Sequence, residues 1–362
     1  MKILYIIPNL NIGGAEILLL NLCKEILVNE PQTIIRVLTL TEKGSLYKRF
    51  EDSGIMVECA NNPRGGFVRN FLFTAACLKR FKPDIVHTHL WMADKCGILA
   101  AFFLNIIRIS TIHSFELSMS KKELLWNVIV NRISTKTIAV SETVKNLWVS
   151  KRRLIADKIT IIYNCGGFTP ANEISAKSVC SNNARILAVG RITPEKGFLH
   201  AVEAINLLHC EFPGITFDIY GPCFDADYSN QIKTSIKKYG LEHKIKMHGP
   251  TDDPIKLFLS HDILLMPSYY EGFGMVAIEA MSCGIPIAAS RIPVFEEILG
   301  NDYTAFLAQT GNAIQIAETI KKLITDQVLY NNLSLKGIER SKAFSKEQTA
   351  AEHLKLYSSL IG

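Results

Sequence analysis

The sequence is short of the features that mark several common protein classes. Its nine cysteines, at positions 23, 59, 77, 96, 165, 180, 210, 223 and 283, form no C-x-x-C pair. Neither a zinc ribbon nor a disulfide framework is therefore expected, and scattered thiols in a reducing compartment are the plain reading. The longest mainly apolar run, Cys96 to Ile107, is well short of the ~20 residues needed to span a bilayer. The opening MKILYIIPNL has one lysine and a short run ended by Pro8, so no secretory signal is expected. The glycine-bearing stretch after it, Asn9 to Glu16, is not G-x-G-x-x-G, and a dinucleotide site is weakly supported. His87 and His89 share one face of a strand, but no third ligand of suitable spacing accompanies them, so zinc is not expected. Asp225-Ala226-Asp227 spells D-x-D in a loop before a helix, where a solvated acidic turn is the simpler reading.

What is present describes a globular protein with ample core: 362 residues, 48% hydrophobic and 20% charged. That length suggests two domains or one large one. The net charge of +6 is unevenly spread. Met1 to Cys165 has 22 Lys+Arg against 13 Asp+Glu, or +9, whereas Gly166 to Gly362 has 18 against 21, or −3. Basic clusters fall at Arg64/Arg69, Lys79/Arg80/Lys82, Lys121/Lys122 and Lys151/Arg152/Arg153. No stacking module or recognition helix accompanies them, so nucleic acid is not expected; an anionic membrane surface or a plain solvated face would suit such charges. Trp126, with Leu124, Leu125 and Val128, could add a shallow anchor, although core packing is the usual use of such a stripe.

Strand-type and helix-type segments alternate throughout. Lys2 to Pro8, Ile34 to Leu40, Asp84 to His89, Ser110 to Ser114 and Thr137 to Ser141 read as strands, with helices at Ile17–Leu27, 66–81 and 121–131 among those between them. The stretch 169–184 is polar, turn-rich and aperiodic, and reads as a linker. The pattern then restarts with Arg185 to Val189. Two doubly wound α/β domains follow from this, their ligands expected at the carboxyl ends of the strands.

The most informative stretch is Pro267 to Ser290, PSYYEGFGMVAIEAMSCGIPIAAS. A short strand precedes it, Gly272 and Gly274 form a tight turn, and Met275 to Cys283 has helical spacing with Gly284 as its stop. Amides left bare at a helix start hold a phosphate well. Glu271 and Glu279 bracket those amides, and carboxylates accept hydrogen bonds from paired hydroxyls. A diphosphate with a sugar at one end and a ribose at the other fits that arrangement. Upstream, Arg191 and Lys196 flank a turn after a strand, where a bidentate guanidinium and a compact ammonium could hold the same diphosphate.

EGFG-(apolar)3-EAM-x-CG-x-P resembles the E-x7-E motif of retaining GT-B glycosyltransferases, specifically the large family 4, and G-R-x-x-x-x-K-G at Gly190 to Gly197 is a second match. The resemblance spans essentially the whole chain. It implies a GT-B fold of two Rossmann-like domains facing across a cleft: an acceptor domain at 1–168, the linker at 169–184, a nucleotide-sugar domain at 185–344, and a helix at 345–362 returning to the first domain. It implies catalytic roles for His113, Glu271, Arg191 and Lys196. Donor contacts would come from Gly190, Arg191, Lys196, Glu271, Gly272, Phe273, Gly274, Met275, Val276 and Glu279, with Glu271 on the hexose and Glu279 on the ribose. Gly13, Gly14, Ala15 and Glu16 would line the acceptor side as a glycine loop. Two departures stand out: Tyr163-Asn164-Cys165-Gly166 in place of a P-N-G loop, and Arg291-Ile292-Pro293 in place of a glycine pair, with Glu297 the nearest match to the trailing glutamate.

The implied activity is transfer of a hexose-type sugar from a UDP- or GDP-sugar to an acceptor, forming an α-glycoside with retention. The acceptor implied is a polyprenyl-diphosphate-linked sugar in O-antigen, capsule or exopolysaccharide assembly, at the inner face of the cytoplasmic membrane. No cofactor or metal is expected, because fixed cations and amides can stabilise the leaving diphosphate. A non-hydrolysing nucleotide-sugar epimerase of the same fold, or a transferase using a soluble cytosolic acceptor, are the alternatives.

Overall fold

The computed structural model describes residues 1–64, 66–114, 120–167, 183–251, 253–304 and 306–362, without the side chains of Lys121 and Thr304. The chain divides into two compact units, one of Met1–Gly167 with Lys346–Gly362 and the other of Phe168–Ser345. Most of the stretch expected as a linker lies outside the described residues, as does Cys180.

The first unit runs β1 (Lys2–Ile7), α1 (Gly14–Asn29), β2 (Ile34–Thr39), α2 (Tyr47–Glu51), β3 (Met56–Cys59), α3 (Phe67–Phe81) and β4 (Ile85–His89). It continues with α4 (Trp91–Phe103), β5 (Ile107–Ile112), α5 (Lys121–Ile133), β6 (Lys136–Ala139), α6 (Glu142–Arg152) and β7 (Ile159–Ile161). The seven strands are parallel, in the order β3-β2-β1-β4-β5-β6-β7. Why β1 must be apolar on both sides is visible in its packing. Ile3, Tyr5 and Ile7 enter one core with Leu19, Cys23 and Ile26 of α1 and Phe50 of α2, whereas Leu4 and Ile6 enter another with Leu78 of α3 and Cys96 of α4. A parallel sheet covered by helices on both faces needs an unbroken apolar run, and KILYII supplies it.

The second unit runs β8 (Arg185–Val189), α7 (Phe198–Leu208), β9 (Thr216–Tyr220), α8 (Ala226–Lys238), β10 (Ile245–His248), α9 (Pro254–Leu259) and β11 (Ile263–Met266). It then adds α10 (Met275–Ser282), β12 (Ile287–Ser290), α11 (Pro293–Leu299), α12 (Asn301–Thr304), β13 (Leu307–Ala308), α13 (Ala313–Thr325) and α14 (Gln327–Ser341). Its six strands are again parallel, in the order β10-β9-β8-β11-β12-β13. The last helix, α15 (Lys346–Ile361), belongs to the first unit, where Ala350 and Tyr357 join the core of α1. Lys346 also pairs with the nearly buried Glu25 of α1 at 2.6 Å.

Two local expectations change, and the apolar run 96–107 proves to hold parts of two elements. It is the second half of α4 and the start of β5, parted by a turn in which Asn105 takes φ +53°. Asparagine tolerates that left-handed conformation better than its neighbours would. The helix expected from Ile17 begins at Gly14, so Gly14, Ala15 and Glu16 form its first turn rather than a loop. Asp225 is not merely a solvated acid: it caps α8, its carboxylate accepting from the Tyr228 amide at 2.8 Å.

Candidate active site

In an open parallel sheet, ligands sit where the strand order reverses, beyond the carboxyl ends of the strands. In the second unit that point lies between β8 and β11, which are neighbours in the sheet. The loops leaving these two strands carry the residues singled out in the sequence. After β8 come Gly190, Arg191 and one 3-10 turn, Pro194–Lys196, before Gly197 opens α7. After β11 come Ser268 to Gly274 and then α10. The two loops are laced together: the Tyr269 amide donates to the Glu195 carbonyl at 2.8 Å. Gly197 sits at φ +68°, and a Cβ there would lie 2.1 Å from the Pro267 carbonyl oxygen, so only glycine permits this approach.

The consequence is an ion pair across the loops. Lys196 Nζ stands 2.5 Å from Glu271 Oε1, and the two side chains are only 15% and 12% exposed. Ser268 Oγ donates to the same carboxylate oxygen at 3.1 Å. Gly274, at φ +84°, is the N-cap of α10 and packs against Phe295 and Ile298, which aims the first amides of that helix at the same end of the sheet. Glu279 lies partly buried on α10, more than a turn beyond Gly274. Arg191 is more exposed; its guanidinium is held 3.4 Å from Glu195 and over the Phe224 ring at 5.8 Å. Neither partner was singled out in the sequence, although the i, i+4 spacing of Arg191 and Glu195 was available as a signal. Glu297 stands on α11 and lines a hollow of about 450 Å³ with Asn301, Lys336 and Arg340, to which none of the expected donor residues contributes.

The first unit's switch point falls between β1 and β4. Gly13 caps α1 after β1, and a Cβ at Gly13 would meet Glu16 Oε2 at 2.4 Å. The glutamate thus folds back over the glycine at the helix start. Burial raises its pKa, partly offset by a hydrogen bond to its own amide. At the ends of β4 and β5 lies a cluster the sequence only half announced. His113 Nε2 is 2.9 Å from His89 Nδ1, and the rings of His89 and His87 stack at 4.5 Å. His87 Nε2 bonds Thr111 Oγ1 at 2.7 Å, and its Nδ1 bonds the Tyr357 hydroxyl of α15 at 2.6 Å. Tyr357 in turn reaches Tyr5 at 3.0 Å. His353, one turn before Tyr357, packs 5.8 Å from His87.

Burial pushes these histidines toward the neutral form, with repulsion between imidazoles adding to it at His87, His89 and His113: His113 and His353 go down to about 4, His87 and His89 in the same direction. Neutral imidazoles in contact must alternate donor and acceptor, so the His89–His113 bond fixes complementary tautomers. The readable signal for the partners on α15 was the i, i+4 repeat of Thr349, His353 and Tyr357. Among the described residues no group of three or more His, Cys, Asp or Glu side chains is arranged to hold a metal.

With this geometry in place, two family descriptions fit the chain. The model for glycosyl transferases group 1 matches residues 171–340, and that for glycosyltransferase family 4 matches residues 12–165. The chain belongs to this glycosyltransferase family. It is similar to an uncharacterized glycosyltransferase of Methanocaldococcus jannaschii, 28% identical over 76% of each chain. It is also similar to the N,N'-diacetylbacillosaminyl-diphospho-undecaprenol alpha-1,3-N-acetylgalactosaminyltransferase of Campylobacter jejuni, 24% identical over 81% of this chain and 82% of that one. Among solved structures, Anabaena HepE in complex with UDP and glucose superposes with a TM-score of 0.85 at 22% identity, covering 99% of this chain and all of the other. The glycosyltransferase therefore has a GT-B fold, each half a parallel-sheet Rossmann-like unit.

Proposed function

We propose that this glycosyltransferase moves a hexose-type sugar from a UDP- or GDP-sugar to a lipid-linked sugar acceptor, with retention of configuration at the anomeric carbon. The observation that carries the reading is the Lys196–Glu271 pair between the loops leaving β8 and β11, beside the capped start of α10. Cation, carboxylate and the amides of a helix start meet there within one switch point. In the proposed complex, Lys196, Arg191 and the amides of Phe273 to Val276 share the diphosphate, with Gly190, Gly272 and Gly274 letting the backbone approach it. Glu271 accepts from the hexose hydroxyls, and Glu279 from the ribose. The bond from C1 to the diphosphate breaks as the acceptor oxygen bonds C1 on the same face. The acceptor proton passes to the departing phosphate oxygen, so no enzymic nucleophile enters. Fixed positive groups stabilise the developing charge, and no metal is invoked. His113 uses Nε2 for His89, which leaves Nδ1 for the sugar. Gly13 to Glu16 line the acceptor side.

Support for the donor class comes from the UDP bound by the Anabaena relative, and for the acceptor class from the undecaprenyl-linked name of the Campylobacter relative. Capsule, O-antigen or exopolysaccharide assembly at the cytoplasmic membrane face is the setting this implies. A nucleotide-sugar screen with mass detection, run with and without polyprenyl-diphosphate sugars, tests the reading. Transfer to the lipid-linked sugar, with an α-anomer by NMR, is expected. Release of a free epimerised sugar without acceptor, efficient use of a soluble acceptor, or a β-anomer would each replace part of it.

A further inference from the structure

Between the two loops of the candidate donor site stands a tyrosine that the transfer chemistry does not use. Tyr269 lies two residues before Glu271 on the loop from β11 to α10. Its amide donates to the Glu195 carbonyl at 2.8 Å, which ties the backbone of that loop to the turn before α7. Its hydroxyl lies 2.6 Å from His200 Nε2 in the first turn of α7, the two rings meeting edge to face at 5.8 Å between centroids. His200 Nδ1 lies 3.2 Å from Glu203 Oε2, three residues further along the same helix. Gly311, at φ +78° in the turn after β13, also borders the hydroxyl: a Cβ there would stand 3.1 Å from it.

These contacts have a direction. A carboxylate accepts hydrogen bonds and does not donate them, so His200 Nδ1 carries the hydrogen that meets Glu203. Nε2 of the neutral ring is then a lone pair, and the Tyr269 hydroxyl donates to it. Glu203 thus orients His200, and His200 orients Tyr269. Glu271 has need of such support. Its carboxylate is held by Lys196 at 2.5 Å and by Ser268 Oγ at 3.1 Å, but Gly272 and Gly274 follow it at once in the chain. Glycine loses more conformational freedom on ordering than any other residue, so a loop of this kind keeps one geometry only when it is fixed from outside. The Tyr269 amide fixes one point of the loop, and its hydroxyl fixes a second, against α7.

We propose that Glu203, His200 and Tyr269 form a strap that positions Glu271 for the donor sugar. All three are positioning residues, acting through the loop that carries Glu271, and their role in transfer rests on the reading of Glu271 given above. The strap itself is tested without substrate, by amide hydrogen exchange of the full chain. Tyr269→Phe and His200→Ala should each speed exchange at Tyr269 to Gly274 about tenfold, while α8 stays unchanged. The double variant should be no faster than either single one, because both break the same bond. His200→Gln should keep the protection, since its amide oxygen can accept from Tyr269. On the nucleotide-sugar that the screen identifies, Tyr269→Phe and His200→Ala should lower kcat/KM about tenfold, with His200→Gln near the parent. Exchange that ignores both single variants, or that rises additively in the double, overturns the proposal. So does kcat/KM that is unchanged in His200→Ala but lowered in Glu271→Ala. Silence of both in kcat/KM would remove Glu271 from the transfer, and the strap's role with it.

Discussion

At the ends of β4 and β5 in the first unit, buried histidines bond to one another, to a tyrosine and to a threonine, and burial keeps them neutral. At the ends of β8 and β11 in the second unit, a lysine and a glutamate meet as ions in an almost equally enclosed place. Both units place their polar groups at a switch point of a parallel sheet, yet one does so with dipoles and the other with charges. The difference fits the tasks proposed. A neutral imidazole can orient a sugar without attracting stray phosphate, whereas a fixed ammonium is what a leaving diphosphate needs. The scaffold alone does not decide the chemistry; the loops do.

Removing the ion pair should have the largest effect. Lys196→Met is expected to lower kcat/KM about 10²–10³-fold, the scale of losing one positioned charge-stabilising donor. It should also lower Tm, because Glu271 stays enclosed without its cation. Adding Glu271→Gln should restore most of the Tm but none of the activity. Activity retained in the single variant would end the contrast with the first unit. His113→Ala should cut kcat by about 10²-fold while donor affinity, measured by calorimetry, changes little. An equal loss in both would make His113 a binding residue only. Next in size, Glu279→Ala should weaken donor binding by about 1.5–3 kcal/mol, the worth of a charged hydrogen bond, with the fold intact. Unchanged calorimetric affinity would remove Glu279 from the site.

Acid separates the two units in a second way. His113 and His353 have folded pKa values near 4 against an ordinary 6.5, so the unfolded chain binds more protons between those values. Each histidine's contribution is intact above about pH 6.5 and is lost by about 1.4 kcal/mol per pH unit as pH falls toward 4. In the second unit Asp218 is shifted in the same direction, but its window lies lower. Burial pushes its pKa up, but hydrogen bonds from His261 and His248 outweigh this and leave it lowered. Its contribution is present above the ordinary carboxylate value of 3.8 and is lost only below it. Melting followed from pH 7 to 4 should therefore destabilise the first unit before the second; a parallel loss in both would show that the histidine cluster does not govern it. The smallest effect is expected from Asp225→Ala with Asp227→Ala. Loss of the α8 cap costs about 1 kcal/mol, while activity should survive both the change and excess EDTA. Activity that vanished and returned with Mn²⁺ would give the second unit a metal site.

Much of this arrangement was legible because it rests on local pattern. Unbroken apolar runs such as KILYII mark strands covered on both faces, and Gly-Phe-Gly before Met275 marks a helix start with bare amides. The two-unit α/β architecture followed from those signals, and the family from the resemblance of Glu271 to Pro286 and of Gly190 to Gly197 to its motifs. What the sequence did not yield depends on long-range contact. Nothing local says that Glu195 would hold Arg191, or that Tyr357 would reach His87 across 270 positions. The α4 segment was hidden for a different reason. It is apolar on nearly every side because it lies between the sheet, α3 and α5, so it lacks the polar face that marks a helix by its period.

The return of α15 to the first unit has a consequence in time. Residues 346–361 leave the ribosome only after the whole second unit, some 178 residues from 168 to 345, has been made. At about 5–20 residues per second that is a wait of roughly nine to thirty-six seconds. Throughout it, the face formed by Tyr5, Cys23 and His87 lacks Tyr357 and Ala350, and its apolar surface and imidazole nitrogen are open to whatever else the nascent chain or the cell presents. The second unit, being contiguous, can close as soon as its own last helix emerges. The part of the molecule begun first is the part completed last.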